Sequence, residues 1–337
     1  MPSLQSYAVS WALWFTAKST CQSADNLNKA VRDDRRTRDP APPQTLYNQF
    51  HIDESQQHGY TVYTLSPKLD GKPNTTTKAN LLYLHGGGFI FNMTKEHWGL
   101  VAAITQRLGA TVTVPIYPLG PEVKLLSIYE VVQPLYNRLA AAAAPDEPFW
   151  CGGDSAGGTM TLALTRQAID DGLPLASRML LISPCVDYSC SNNDLHTAAK
   201  TDPWLDVPGI KEMTCLVCPD LDTMDPRLSP LYGSLKGFPP MLVLAGGADL
   251  LTPDTKKFVD AARKEGNDVE YYFAKGMMHI WPVMPIPEAT VAIEQMTKWL
   301  LRSLRDSETV DQQCSHLEGQ SSDGDKNLWH RLWSTLW

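Results

Sequence analysis

The chain of 337 residues is short of several things that mark other protein classes. Basic residues are few: 29 Lys and Arg stand against 37 Asp and Glu, a formal charge of −8. That balance speaks against nucleic-acid binding, which favours a basic surface. Cysteine is sparse too. Seven cysteines, an odd number scattered over a large chain, are not a disulfide framework. Cys215 and Cys218 form one CxxC, but no second pair or His pair follows at a zinc-binding spacing, so ordinary thiols and no metal are expected. No run reaches the roughly 18 apolar residues that span a bilayer. The apolar stretch 7–15 has no basic residue before it, as a signal peptide would. Charged residues at 20% are too few for a disordered chain, and hydrophobic residues at 43% can fill a sizeable core.

What is present has a rhythm. From residue 45 to 304, short β-rich runs alternate with helical stretches. Residues 59–65 alternate like an antiparallel opening strand. The runs 79–84, 110–117, 148–152, 178–183, 240–245 and 268–274 are mostly continuous apolar, as in strands buried on both faces. Between them, helices are expected at 95–108, 125–144 (kinked at Pro134), 159–170, 254–265 and 288–304. Such alternation predicts an α/β fold with a mostly parallel central sheet and helices on both faces.

Three segments break the rhythm. In residues 1–44, Leu4, Tyr7, Ala8, Trp11, Trp14 and Phe15 recur at helical spacing and predict an amphipathic helix. A basic patch (Lys29, Arg32, Arg35, Arg36, Arg38) and a proline-rich hinge at 40–43 follow it. Residues 185–228 form an insert too long to be structureless in a compact domain, so it is expected to carry its own helices. Residues 305–337 read as an acidic tail. Its part from 306 to 325 holds six carboxylates and no Lys or Arg, which leaves the rest of the chain at only −2. Beyond it, Leu328, Trp329, Leu332, Trp333, Leu336 and Trp337 form one apolar stripe on a short helix. A helix of about ten residues is marginal alone, so the stripe is expected to dock onto its own domain or a partner. With only Lys326 and Arg331 nearby, a membrane surface ranks below these.

Two glycine-rich motifs carry the chemistry. Gly153-Asp154-Ser155-Ala156-Gly157-Gly158 lies between a predicted strand and a predicted helix. Small residues on each side of Ser155 allow a turn sharp enough to hold it at the sheet edge. The first helical turn then points unpaired N–H groups at any developing anion. His85-Gly86-Gly87-Gly88-Phe89 follows the apolar run 81–84 and leaves backbone N–H groups unobstructed, as an oxyanion hole requires. The Lys-Ser/Thr that completes a phosphate-binding loop is missing. His85 itself is expected to fix the loop through hydrogen bonds. Asn74 and Asn92 open glycosylation patterns, but a glycan at Asn92 would obstruct this loop. A cytoplasmic chain is therefore expected.

Together these motifs resemble the hormone-sensitive-lipase-like (GDXG) group of α/β-hydrolases. Tyr117-Pro118-Leu119-Gly120-Pro121-Glu122 and Asp225-Pro226-Arg227-Leu228-Ser229-Pro230 are similar to two more of that family's motifs, so the resemblance covers most of residues 45–304. It implies a catalytic acid after the next-to-last strand and a histidine after the last. Asp249 and His279 hold those positions, and Ser155, Asp249, His279 is the order this fold uses. Asp254 is the rival acid, though it reads as a helix N-cap.

The resemblance implies an α/β-hydrolase core with a helical cap made of segments 1–44 and 185–228, and a serine carboxylic-ester hydrolase without cofactor. Ser155 would attack the acyl carbon, His279 move the proton, and Asp249 orient the imidazole. Backbone N–H groups of Gly87, Gly88 and Ala156 would stabilise the oxyanion, with His85, Gly86, Gly153, Asp154 and Gly157 shaping the two turns. Trp11, Trp14, Trp204 and Trp281 are candidates to line a pocket for a small to medium apolar ester. An acyltransferase, thioesterase or amidase would use the same groups. A non-catalytic receptor, as in the plant gibberellin receptors that resemble this family, can dispense with the histidine, and His279 is present.

Overall fold

The computed structural model describes residues 2–144 and 146–304. The readings made for 305–337 lie outside them. Along the chain come α1 (Leu4–Thr16), α2 (Ala24–Thr37), β1 (Phe50–Gln57), β2 (Tyr60–Leu69), β3 (Lys72–Pro73), β4 (Asn80–Leu84), α3 (Lys95–Leu108), β5 (Thr111–Ile116) and α4 (Leu125–Ala141). There follow β6 (Phe149–Asp154), α5 (Ala156–Asp170), β7 (Arg178–Ile182), α6 (Leu195–Ala198), α7 (Val207–Val217), β8 (Met241–Ala248), α8 (Thr252–Lys264), β9 (Val269–Met278) and α9 (Pro287–Leu301).

The strands form one sheet in the order β1-β2-β5-β4-β6-β7-β8-β9, with the short β3 on β2. The pairs β1/β2 and β2/β5 are antiparallel, and every pair from β5 to β9 is parallel. One buried cluster lies between the sheet and α3 and α9; others join it to α4, α5 and α8. Parallel strands covered on both faces need apolar side chains on both sides, which is why Leu81–Leu84 and Leu180–Ile182 are buried without alternation.

Several expectations are corrected. The strand β1 went unread because Phe50–Gln57 is mostly polar and half exposed; pairing with β2, rather than burial, makes it a strand. The helix α5 begins at Ala156, three residues before the expected start, because the glycines of the motif are already helical. The helix α4 ends at Ala141, not Ala144, and Pro134 sits within it. In α1 the apolar face does not pack inward: Leu4, Trp11 and Phe15 are 85%, 66% and 74% exposed. Its buried residue is Ser6, whose hydroxyl donates to Glu288 Oε2 at 2.6 Å, at the start of α9.

The expected basic patch is an ion-pair fastener instead. Lys29 and Arg36 pair with Asp33, Arg38 with Asp34, and Arg35 with both Asp34 and Glu122. Asp34 is buried and also accepts from the backbone and side-chain nitrogens of Asn92, at 3.0 and 2.9 Å. Thus α2 is pinned over the loop that follows β4. The insert 185–228 contains α6 and α7, and it meets the N-terminal segment directly. A Cβ on Gly209 would lie 2.8 Å from Cys21.

Candidate active site

Ser155 is the single residue between β6 and α5. Its backbone is held at φ 51°, ψ −118°, a strained geometry for a side-chain-bearing residue. The strain is fixed from both sides. Its N–H donates to the Ile182 carbonyl at 2.9 Å, and Gly153 pairs with Leu84 and Leu181 of the flanking strands. A Cβ on Gly157 would fall 1.9 Å from the Leu84 carbonyl oxygen, so only glycine lets α5 start this close to β4. Ala156 is the first residue of α5, where an N–H has no intrahelical acceptor.

Beside this turn lies the glycine loop after β4. Gly87 turns at φ 106°, and its carbonyl accepts the N–H groups of Ile90 and Phe91. Asp154 ties the loop to the serine turn. Its Oδ1 accepts from Gly86 N at 3.0 Å and Tyr83 Oη at 2.5 Å, and its Oδ2 accepts from His97 Nε2 at 3.2 Å. Burial alone would raise this carboxyl's pKa. His97 and the hydrogen bonds more than offset that and hold it below the usual value. His85 Nδ1 donates to the Gly86 carbonyl at 2.7 Å, and its ring stacks on Tyr117 at 4.3 Å. Burial first, and His97 second, lower its pKa to about 4, so it is neutral near pH 7.

Asp249 and His279 directly follow β8 and β9. His279 Nδ1 donates to both Asp249 carboxylate oxygens, at 3.1 Å each. Both side chains are buried. Burial opposes the imidazolium, but the Asp249 charge and hydrogen bond outweigh it, and the histidine's pKa lies above its ordinary value. With Nδ1 so engaged, Nε2 is the nitrogen left for a serine. Asp254 does not meet His279. It lies inside the first turn of α8, where Leu251 and not Asp254 holds the N-cap position, and it accepts from Asn192 Nδ2 at 2.6 Å.

Ser155, His279, Gly87 and Gly88 line one cavity of about 610 Å³. Its wall is apolar where Phe91, Tyr188, Leu205, Ile210 and Met213 stand, and α2 gives it a polar rim. Of the four tryptophans expected there, only Trp204 is in the wall, its ring edge-on to His279 at 6.0 Å. Trp281 is fully buried in the core, while Trp11 and Trp14 lie exposed on α1. His97 was missed as a support of the site; its local signal was the Thr94-x-x-His97 spacing that closes a capping box at the start of α3.

The family model for the alpha/beta hydrolase fold matches residues 81–283. An acetyl-hydrolase of Streptomyces hygroscopicus is 30% identical over 227 residues, covering 66% of this chain and 75% of that protein. The crystal structure of EstE5 soaked with p-nitrophenyl butyrate is 25% identical, with a TM-score of 0.77 over 90% of this chain and 99% of that one. An esterase of the bacterial hormone-sensitive lipase family shares the fold at a TM-score of 0.71 and 24% identity, covering 83% and 98% of the two chains. The chain belongs to the α/β-hydrolase family. It is an ester-hydrolysing serine hydrolase.

Proposed function

We propose that Ser155, His279 and Asp249 hydrolyse a small to medium apolar carboxylic ester through an acyl-enzyme. The observation that carries this is His279, held by Asp249, lining the same cavity as a serine on a strained strand–helix turn. His279 Nε2 takes the Ser155 proton as Oγ attacks the ester carbonyl, and Asp249 keeps the proton on Nδ1. The oxyanion is met by N–H groups of Gly87, Gly88 and Ala156; losing one such donor typically costs about 3 kcal/mol of transition-state stabilisation. His279 then protonates the leaving alcohol, and water releases the acid. Asp154, His85, Gly86, Gly153 and Gly157 hold the two loops in register.

The N-terminal segment and the insert 185–228 act as a cap that closes the cavity, and their mutual packing supports this reading. The stripe at residues 328–337 is read as a docking element for a partner or for the chain's own domain. No described helix is long and apolar enough to cross a membrane. A cytoplasmic setting is our reading, supported by the six described cysteines, all free.

The test is hydrolysis of short p-nitrophenyl esters by wild type and Ser155→Ala. The folded variant should lose about 10⁴- to 10⁶-fold in kcat. Undiminished turnover would remove Ser155 from the mechanism.

A further inference from the structure

A second carboxylate stands beside the candidate pair, and it comes from the cap. Asp202 lies in the insert 185–228, in the loop between α6 and α7, and is fully buried. Its Oδ1 accepts the N–H groups of Trp204 and Leu205, at 2.7 and 2.8 Å. Its Oδ2 accepts the N–H of Leu250 at 2.6 Å, and Leu250 is the residue after Asp249. Asp249 Oδ1 in turn accepts the N–H of Leu251 at 2.9 Å. The turn carrying the catalytic acid is thus held by its own carboxylate and by one from the cap.

The other side of the cap loop is held by the N-terminal segment. Lys18, itself buried, donates through Nζ to the carbonyls of Ala199 (2.9 Å) and Leu205 and pairs with Asp206 at 3.3 Å. Residues 199–206 therefore bridge residue 18 and residue 250. Within that bridge, Trp204 sets its ring against His279.

We propose that Asp202 is a positioning residue that locks the cap to the Asp249 turn and keeps a second negative charge beside His279. The proposal rests on the triad reading given above. It makes the cap a working part of the proton-transfer site. Closing the cavity and aligning the base become one structural event, since the same carboxylate does both. The charged groups whose fields act on His279 are Asp249, Asp202 and Asp154, and of these Asp249 touches it. Those acting on Asp202 are Asp249 and His279, while Lys18 and Asp206 reach the neighbouring Cys21 together with it. Burial, then repulsion from Asp249, push the Asp202 carboxyl up to about 6, so it is ionised near pH 7.

The test is the pH profile of kcat/KM and kcat for p-nitrophenyl acetate with wild type, Asp202→Asn and Lys18→Met, each checked for a native near-ultraviolet spectrum. Asn keeps an acceptor for Trp204 and Leu205 but turns a donor toward Leu250 and removes the charge. For Asp202→Asn the acid limb of kcat/KM should move to lower pH by about one unit. Its plateau kcat should fall about tenfold or more, as misplaced acid–base groups do. Lys18→Met, which frees the cap loop but leaves the Asp202 carboxylate, should raise KM without moving the acid limb. An unmoved acid limb in folded Asp202→Asn overturns the proposal.

If Asp202→Asn does not fold, Asp202→Glu decides. It keeps the charge but changes the reach to Leu250, so plateau kcat should fall about tenfold while the acid limb stays near its wild-type position; a wild-type kcat overturns the proposal. Ser155→Ala in the same assay separates the two readings: turnover persisting there sinks the triad, and with it the premise rather than the role of Asp202.

Discussion

Asp154 Oδ1 accepts the Gly86 amide at 3.0 Å, and this bond ties the turn bearing Ser155, the candidate nucleophile, to the glycine loop that carries the candidate oxyanion donors. The carboxylate is fully buried and takes two more donors, from Tyr83 and His97. Two chain segments some 70 residues apart thereby keep one geometry.

Asp154→Asn should expose that dependence. An amide turns one donor toward the donors already there, and a buried hydrogen bond to a charged group is worth about 1.5–3 kcal/mol. We expect a lower thermal midpoint and a kcat reduced tenfold or more, because the Gly87 and Gly88 amides lose their register with Ser155. Thermal unfolding and steady-state kinetics measure both. Wild-type kcat at reduced stability would limit Asp154 to a structural role.

The choice of acid is tested by a matched pair. Asp249→Asn leaves His279 Nδ1 facing an amide and should lower kcat by about 10⁴-fold, as holding the wrong tautomer does. Asp254→Asn weakens the contact with Asn192 and the long pair with Lys257, and should leave kcat within a few-fold. Kinetics in which Asp254→Asn is the slower enzyme would reverse the assignment.

The pH dependence follows from the raised His279 pKa. The base must be neutral to accept the serine proton, so kcat/KM should fall as pH drops through a value above the ordinary imidazole pKa of about 6.5. Stability runs the opposite way. Because the folded pKa is raised, the ion pair with Asp249 contributes fully below the unfolded value and is lost as pH rises through the folded one. A pH profile of kcat/KM together with urea unfolding across the same range should show the two trends crossing. An acid limb at or below 6.5 would contradict the ion-pair geometry.

Truncation after Asp306 should leave kcat for short esters within a few-fold, since every candidate catalytic group lies upstream. Kinetics of the truncated and full-length proteins give the comparison. A collapse of kcat in a folded truncation would place the tail in the site.

The α/β alternation, the two glycine motifs and Ser155 as a candidate nucleophile are legible in the residues themselves, whereas Asp249 and His279 came only from the family resemblance. The first three are local information. Continuous apolar runs need burial on both faces, and a serine between small residues needs a sharp turn, so spacing alone is enough. What packs against what was settled by folding. The apolar residues predicted to form the face of α1 have helical spacing, yet the sheet's face is already filled by α3 and α9, so Ser6, Val9 and Leu13, and not Trp11, meet the body of the protein. Trp204 lines the cavity while Trp281 fills the core, a difference of position that one residue type cannot encode. Asp202 was illegible for the same reason. Its partners Leu250 and His279 lie 48 and 77 positions away along the chain, and nothing in its neighbours announces a carboxylate that only folding brings beside the histidine.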